Sequence, residues 1–219
     1  MNILFVSPHP DDETLGCGGT ILKYKKEGHN ISWLNFTNVK TEYGYSSDKV
    51  EKRNLEINKV TKLYGFDNFY NLELEPANLD RYRREYLINE TSRIINEVQP
   101  NIIFLPFRND IHSDHKVVFD VVFACTKSFR YPFIKRILSM EIISETDFSN
   151  PEYGFIPNYF IDITKYLNEK IEIMKTYQSE LRRHPFPRSI ENIQALATFR
   201  GAAAGVTYAE AFKLIKEIV

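Results

Sequence analysis

Cysteine is nearly absent: the chain of 219 residues carries two, Cys17 and Cys125. Two cysteines build no disulfide framework, so the fold must stand on its core. No stretch approaches the ~18 consecutive apolar residues of a membrane-spanning helix, which argues against stable membrane insertion. Neither sign of charge dominates, because 28 Lys and Arg face 29 Asp and Glu for a formal net charge of −1. That balance offers no broad attraction to nucleic acid or to an anionic lipid surface. Internal repeats, low-complexity tracts and linkers are missing, and one domain over residues 1–219 is the expectation. The basic and apolar segments of a secretory leader do not precede the first strand pattern, so a cytoplasmic location is expected.

What is present is an alternation of patterns. Asn2–Ser7, Asn30–Thr37, Asn68–Leu74 and Ile102–Pro106 read as strands, rich in β-branched and aromatic residues. Helical periodicity falls between and after them, over 15–26, 50–63, 82–97 and 117–129. Beyond these, Ile137–Ile143 and Tyr159–Ile163 read as strands, and 164–182, 189–200 and 208–218 as helices. Strands alternating with helices imply βαβ units, hence an α/β, Rossmann-like three-layer fold with a mostly parallel sheet.

Two polar clusters interrupt this pattern, each just past an apolar strand. The first is Ser7-Pro8-His9-Pro10-Asp11-Asp12-Glu13-Thr14-Leu15, after Ile3-Leu4-Phe5-Val6. Ligands in α/β folds gather beyond the carboxyl ends of strands. His with Asp is an N/O donor set suited to zinc or another divalent cation. His9 and Asp12 can face one point if the chain turns helically there, while Asp11 projects elsewhere and can act as a base. The plain alternative is a helix start, where acids are favourable without any catalysis. The second cluster is Asn109-Asp110-Ile111-His112-Ser113-Asp114-His115, after Ile102–Leu105. One of its histidines can complete a three-residue metal set, the other can donate to an oxyanion, and Asp114 can fix an imidazole tautomer.

The pairing of Pro8-His9-Pro10-Asp11-Asp12-Glu13 with His112-Ser113-Asp114-His115 resembles the PIG-L/LmbE-like metal-dependent N-deacetylases, and Arg200-Gly201 through Phe212 looks like that family's C-terminal signature. The resemblance implies His9, Asp12 and His115 as zinc ligands and Asp11 as general base. It implies His112 as the residue that stabilises the oxyanion, and Asp114 as the acid that tunes a motif histidine. It also matches Arg53 and Glu56 to an Arg-x-x-Glu motif whose Arg contacts the sugar; a solvated helix face is the bland reading of Arg53. Where thiol-pathway members carry a Tyr two residues before the first His of the second motif, this chain has Asp110.

Two further segments call for a reading. Gly16-Cys17-Gly18-Gly19 lacks the spacing and the Lys-Ser/Thr of a phosphate-binding loop, so close packing of a helix on the sheet is expected, with Cys17 a small buried residue. Tyr177–Ser189 holds Arg182, Arg183 and Arg188 beside two prolines. It is the second place to look for substrate contacts, to a phosphate-bearing substrate above all, against a plain surface loop. The whole points to a zinc-dependent hydrolase that removes acetyl from a small-molecule N-acetyl sugar. An N/O site also admits other divalent metals, and a homo-oligomer is left open. The rivals are a non-hydrolytic nucleotide-binding α/β protein using the Gly16–Gly19 turn, and a metal-binding scaffold.

Overall fold

The apolar runs become the middle of one sheet. The computed structural model describes residues 1–219. Its strands are β1 (Asn2–Ser7), β2 (Asn30–Thr37), β3 (Asn68–Leu74), β4 (Ile102–Leu105), β5 (Arg136–Met140), β6 (Tyr159–Asp162) and β7 (Ala209–Glu217). Its helices are α1 (Asp12–Lys26), α2 (Ser47–Tyr64), α3 (Arg84–Val98), α4 (Ser113–Ala124), α5 (Leu167–Met174) and α6 (Ile190–Ala204). The strand order is β3-β2-β1-β4-β5-β7-β6. The first five are parallel, and β7 runs antiparallel to both neighbours.

Successive side chains of a strand face opposite ways, and β1 is apolar on both sides because helices cover both. Ile3 and Phe5 pack with Leu15 and Ile21 of α1, Val60 of α2, Ile171 of α5 and Ile193 of α6. Leu4 and Val6 pack with Ile94 and Ile95 of α3 and Val118 and Val122 of α4. These are the three layers expected from the sequence. Caps set the helix ends: the Ser46 and Ser189 hydroxyls accept from Lys49 N and Asn192 N, while Gly65 and Gly205 end α2 and α6 in the left-handed region. No helix is long and apolar enough to cross a membrane.

The topology places the site. From β1 the chain winds outward through β2 and β3, then returns to the other side of β1 with β4 and β5. The carboxyl ends of β1 and β4 therefore flank the crevice where the winding reverses, the usual ligand position of an open α/β sheet. Both polar clusters leave strands there.

The structure departs from the sequence reading mainly at helix ends and in the C-terminal third. Residues 208–218, expected to be helical, form β7, whose Ala209–Phe212 are buried between β5 and β6. Ala, Glu, Lys and Leu favour a helix locally, but the open edge of β5 outweighs that weak preference. The helix expected over 164–182 is confined to Leu167–Met174. Beyond it the chain turns inward to bury Tyr177, which reaches Glu13. Helix α4 begins at Ser113 rather than 117, because His112 caps it by accepting from Asp114 N.

Candidate metal centre and its cavity

The loops after β1 and β4 deliver His9, Asp12 and His115 to one point, their donor atoms within 4.8 Å of one another. Asp12 Oδ2 lies between two imidazoles, 3.3 Å from His9 Nδ1 and 3.3 Å from His115 Nε2. Each ring turns its other nitrogen to a further carboxylate. His9 Nε2 meets Asp114 Oδ2 at 3.0 Å, and His115 Nδ1 meets Asp110 Oδ2 at 2.8 Å. These acids are held in turn: Asp114 accepts from Ala77 N and Leu79 N, and Asp110 from the Thr146 hydroxyl at 2.7 Å. Paired carboxylates of this kind orient metal-binding histidines and fix their tautomers.

The donor set fits a divalent cation on an observation independent of motif. His115 is fully buried, yet its Nε2 makes no hydrogen bond. A buried nitrogen without a partner is costly, and a cation between it, His9 and Asp12 removes that cost. The electrostatics agree. Burial opposes charge on His9, but hydrogen bonds to Asp114 and Asp12 outweigh it and lift the ring to about 9. Burial likewise opposes charge on His115, while the Asp12 charge and the Asp110 bond raise it well above the ordinary value. Asp12 is buried too, yet His115 and His9 hold it far below the usual carboxylate range. The site thus draws positive charge to its centre, which ring protons supply and a metal ion would supply in their place. Two nitrogens and one carboxylate leave a tetrahedral ion one open position, the catalytic form of a zinc site.

Asp11 stands beside this group, at the start of α1, with φ 137° and ψ −28°, and its side chain makes no capping hydrogen bond. A helix-start role is therefore not what its carboxylate performs. Burial and the adjacent Asp12 charge push its pKa well above the ordinary value, the direction that makes a carboxylate a stronger base. His112 accepts from Asp114 N through Nδ1 at 3.1 Å, so its neutral ring carries the proton on Nε2 as a donor. Burial and the His9 charge pull its pKa down to about 4, which keeps the ring neutral.

These side chains open on a cavity of about 330 Å³ with 3 hydrophobic residues among its 16 lining ones. Such a wall suits a hydroxyl-rich ligand better than an apolar one. Arg53 and Arg188 both line it. Arg53 is buried, donates to Pro10 O at 2.9 Å, and pairs with Glu56 and Glu180. Arg188 meets the other oxygen of Glu180 at 3.2 Å and Ser144 Oγ at 3.1 Å. Arg182 is exposed and stacks over Phe186 at 5.1 Å, away from the cavity wall. Arg183 is exposed as well and does not line the cavity, so of the four arginines expected to meet substrate the structure brings Arg53 and Arg188 to it.

Three acids at the site went unassigned in the sequence. Asp110 stands in the second motif, but its pairing with His115 arises from the folded loop rather than helical spacing. Glu145 lines the cavity from a segment with no motif, and Glu180 from the Tyr177–Ser189 segment that stands out for its arginines, where nothing marks the acid itself. The glycine run is no ligand loop. Gly16, Gly18 and Gly19 lie inside α1, where an added Cβ would sit 3.0 Å from Met140, 2.7 Å from the Tyr64 hydroxyl and 2.7 Å from Ile163. That removes the structural basis of the nucleotide-binding alternative and bears out close packing, as does the complete burial of Cys17.

Comparison with known proteins adds three findings. The model of the GlcNAc-PI de-N-acetylase family, PIG-L, matches residues 4–126, more than half of the chain and both motifs. A diacetylchitobiose deacetylase of Thermococcus kodakarensis is 27% identical over 234 residues, spanning 99% of this chain and 84% of that protein. Among solved structures, the conserved protein TT1542 of Thermus thermophilus has a TM-score of 0.79 at 23% identity, covering 100% of this chain and 96% of its own. GalB, the 4-carboxy-2-hydroxymuconate hydratase of Pseudomonas putida, has a TM-score of 0.78 at 15% identity, covering 100% and 98%. A hydratase on this fold means that the reaction must be argued from the site.

Proposed function

The chain belongs to the GlcNAc-PI de-N-acetylase family, and from that premise we propose that it is a zinc-dependent hydrolase that removes the acetyl group of an N-acetylated amino sugar or sugar conjugate. The observation that carries the reading is the cluster at the carboxyl ends of β1 and β4. There Asp12 is shared between two carboxylate-oriented histidines, the unpartnered His115 Nε2 faces it, and Asp11 stands free beside it in a polar cavity. The likeness to a diacetylchitobiose deacetylase supports the substrate class.

His9, Asp12 and His115 would hold the cation, whose chemistry when bound is Lewis acidity toward the amide carbonyl. Asp11 takes a proton from the attacking water as its oxygen adds to the carbonyl carbon. His112 donates its Nε2 proton in a hydrogen bond to the oxyanion, and a neutral ring suits that task because it stabilises charge without surrendering the proton. The C–N bond then breaks, Asp11 returns its proton to the amine, and acetate and free amine leave. Arg53 and Arg188 border the space open to sugar hydroxyls or an anionic substituent.

The test is release of acetate and free amine from a panel of N-acetylamino sugars, free and nucleotide-linked. It is run on zinc-loaded protein, chelated protein and the Asp11→Asn variant. Release that vanishes on chelation and falls by about 100-fold or more in Asp11→Asn is the expected result. Equal release from wild type and Asp11→Asn removes Asp11 from its role. No release from any sugar by fully metal-loaded protein overturns the substrate class.

A further inference from the structure

The carbonyl of Pro10 and the N–H of Asp11 belong to one peptide unit, and an ionisable side chain holds each end of it. Arg53 Nη1 donates to Pro10 O at 2.9 Å, and Asp11 N donates to Glu13 Oε2 at 3.0 Å. The bond is trans, so the two groups point in opposite directions and the two holds resist rotation of the plane from both sides. Both holders are themselves anchored. Glu13 is fully buried, and its Oε1 accepts from the Thr14 hydroxyl at 2.6 Å and the Tyr177 hydroxyl at 2.9 Å. Arg53 Nε meets Glu56 at 3.2 Å, and Nη2 reaches the Ser179 hydroxyl at 3.0 Å and the Glu180 carboxylate. Tyr177, Ser179 and Glu180 lie on one short segment after α5, so that segment braces both ends.

What is held is an unfavourable conformation. Asp11 has φ 137°, outside the regions an L-residue ordinarily occupies, and is strained there. A half-turn of this one plane takes φ to about −40°, which together with ψ −28° is ordinary α-helix. Released, Asp11 would join the first turn of α1: its N–H and the Pro10 carbonyl would change sides, and its Cα–Cβ bond, close to the turning axis, would tilt by roughly 30° at most, enough to displace the carboxylate by about 1 Å. We propose that Glu13 and Arg53 form a clamp on the Pro10–Asp11 peptide that keeps Asp11 out of helix α1 and fixes the backbone from which its carboxylate meets the cavity. The catalytic consequence rests on the base role given to Asp11 above; the clamp itself rests on geometry alone. Glu13 is then a positioning residue, and Arg53 gains that role beside any contact with substrate.

The experiment compares Glu13→Ala and Glu13→Gln with wild type in the full chain. NMR reads the Asp11 13Cα shift, which follows φ and ψ, and the exchange rate of its amide. Turnover on the acetyl-sugar panel gives kcat and KM. In Glu13→Ala the Asp11 shift moves to a helical value and its amide exchanges about tenfold or more faster. In the same variant kcat falls about 100-fold with KM within about threefold and zinc still bound. Gln still offers an oxygen to the Asp11 N–H, so Glu13→Gln retains the wild-type shift and most of kcat. An unchanged Asp11 shift in Glu13→Ala overturns the clamp, and so does full relaxation in Glu13→Gln. Should Glu13→Ala not fold, Tyr177→Phe loosens Glu13 and is expected to move both Asp11 signals part of the way; no movement overturns the proposal. If wild type hydrolyses no sugar, the functional reading fails while the NMR signals still decide the clamp.

Discussion

The parallel half of the molecule, β1 to β5, and the C-terminal segment from residue 141 onward do different work around one helix. Every group that would touch the metal or carry a proton in the reaction comes from the loops after β1 and β4. The later segment supplies no reacting atom, but it reaches back to α1 and its approach at three places. Lys170 of α5 donates to Leu15 O and to Glu210, and Glu210 of β7 accepts from Gly19 N, Thr20 N and the Thr20 hydroxyl. Tyr177 holds Glu13, and Glu180 holds Arg53. Chemistry thus concentrates where a parallel sheet presents strand ends, and the antiparallel addition acts as a brace.

The sharpest way to break this division is at Lys170. Both it and Glu210 are buried, so Lys170→Met strands a carboxylate in the interior and is expected to destabilise by about 3–5 kcal/mol. For a chain of this size that lowers the thermal midpoint by roughly 6–20 °C. At a temperature where the variant stays folded, kcat should remain within a few-fold of wild type. A turnover loss as large as the stability loss would mean that the brace also tunes the site. Asp110→Asn works from the other side: it removes the carboxylate that orients His115 and should weaken zinc binding about 10–100-fold, read by competition with a chromophoric chelator, with little change in thermal midpoint. A larger thermal than metal effect would make Asp110 a brace as well.

The smallest effect belongs to the parallel half away from the site. Asp67 is exposed, and the little burial it has disfavours its charge, but Lys25 and the Ile31 N–H outweigh this and hold its pKa below the ordinary value. A depressed folded-state pKa gives stability that is present above the unfolded value of about 3.9 and lost as pH falls through the folded one. Asp67→Asn should therefore cost less than about 1 kcal/mol at neutral pH, a difference from wild type that closes in acid. A large loss at neutral pH would show that ion pairs, not the core, secure the parallel half.

The same division governs how much was legible in the sequence. β1, β2 and β3 can be read to the residue because each is a run rich in apolar, aromatic or β-branched residues with turns at both ends, although β3, at the sheet edge, buries only Leu74. His9, Asp12 and His115 stand out because each follows such a run. Helix starts are less plain: α4 begins early because a histidine ring does the work of a serine cap. Arg188 enters the cavity wall and Arg182 does not, a difference no local pattern encodes. β7 is hidden for a stronger reason. Its residues favour a helix, and the partner that overrules them is β5, 72 to 81 positions upstream. Asp110 and Glu180 are hidden similarly, since each acquires its meaning only from what the fold sets against it.

Strand β7 follows β6 in the chain but lies between β5 and β6 in the sheet. A growing polypeptide emerging from the ribosome therefore completes its five parallel strands, then β6, before the strand that joins them exists. Until residues 209–217 are made, β5 presents a bare hydrogen-bonding edge, β6 has no neighbour, and Lys170 waits without its counter-charge. An open edge of that kind pairs readily with other chains, so synthesis passes through a stage exposed to aggregation. A nascent chain stalled before residue 209 should be the form that chaperones capture, and release past residue 217 the step that closes the sheet.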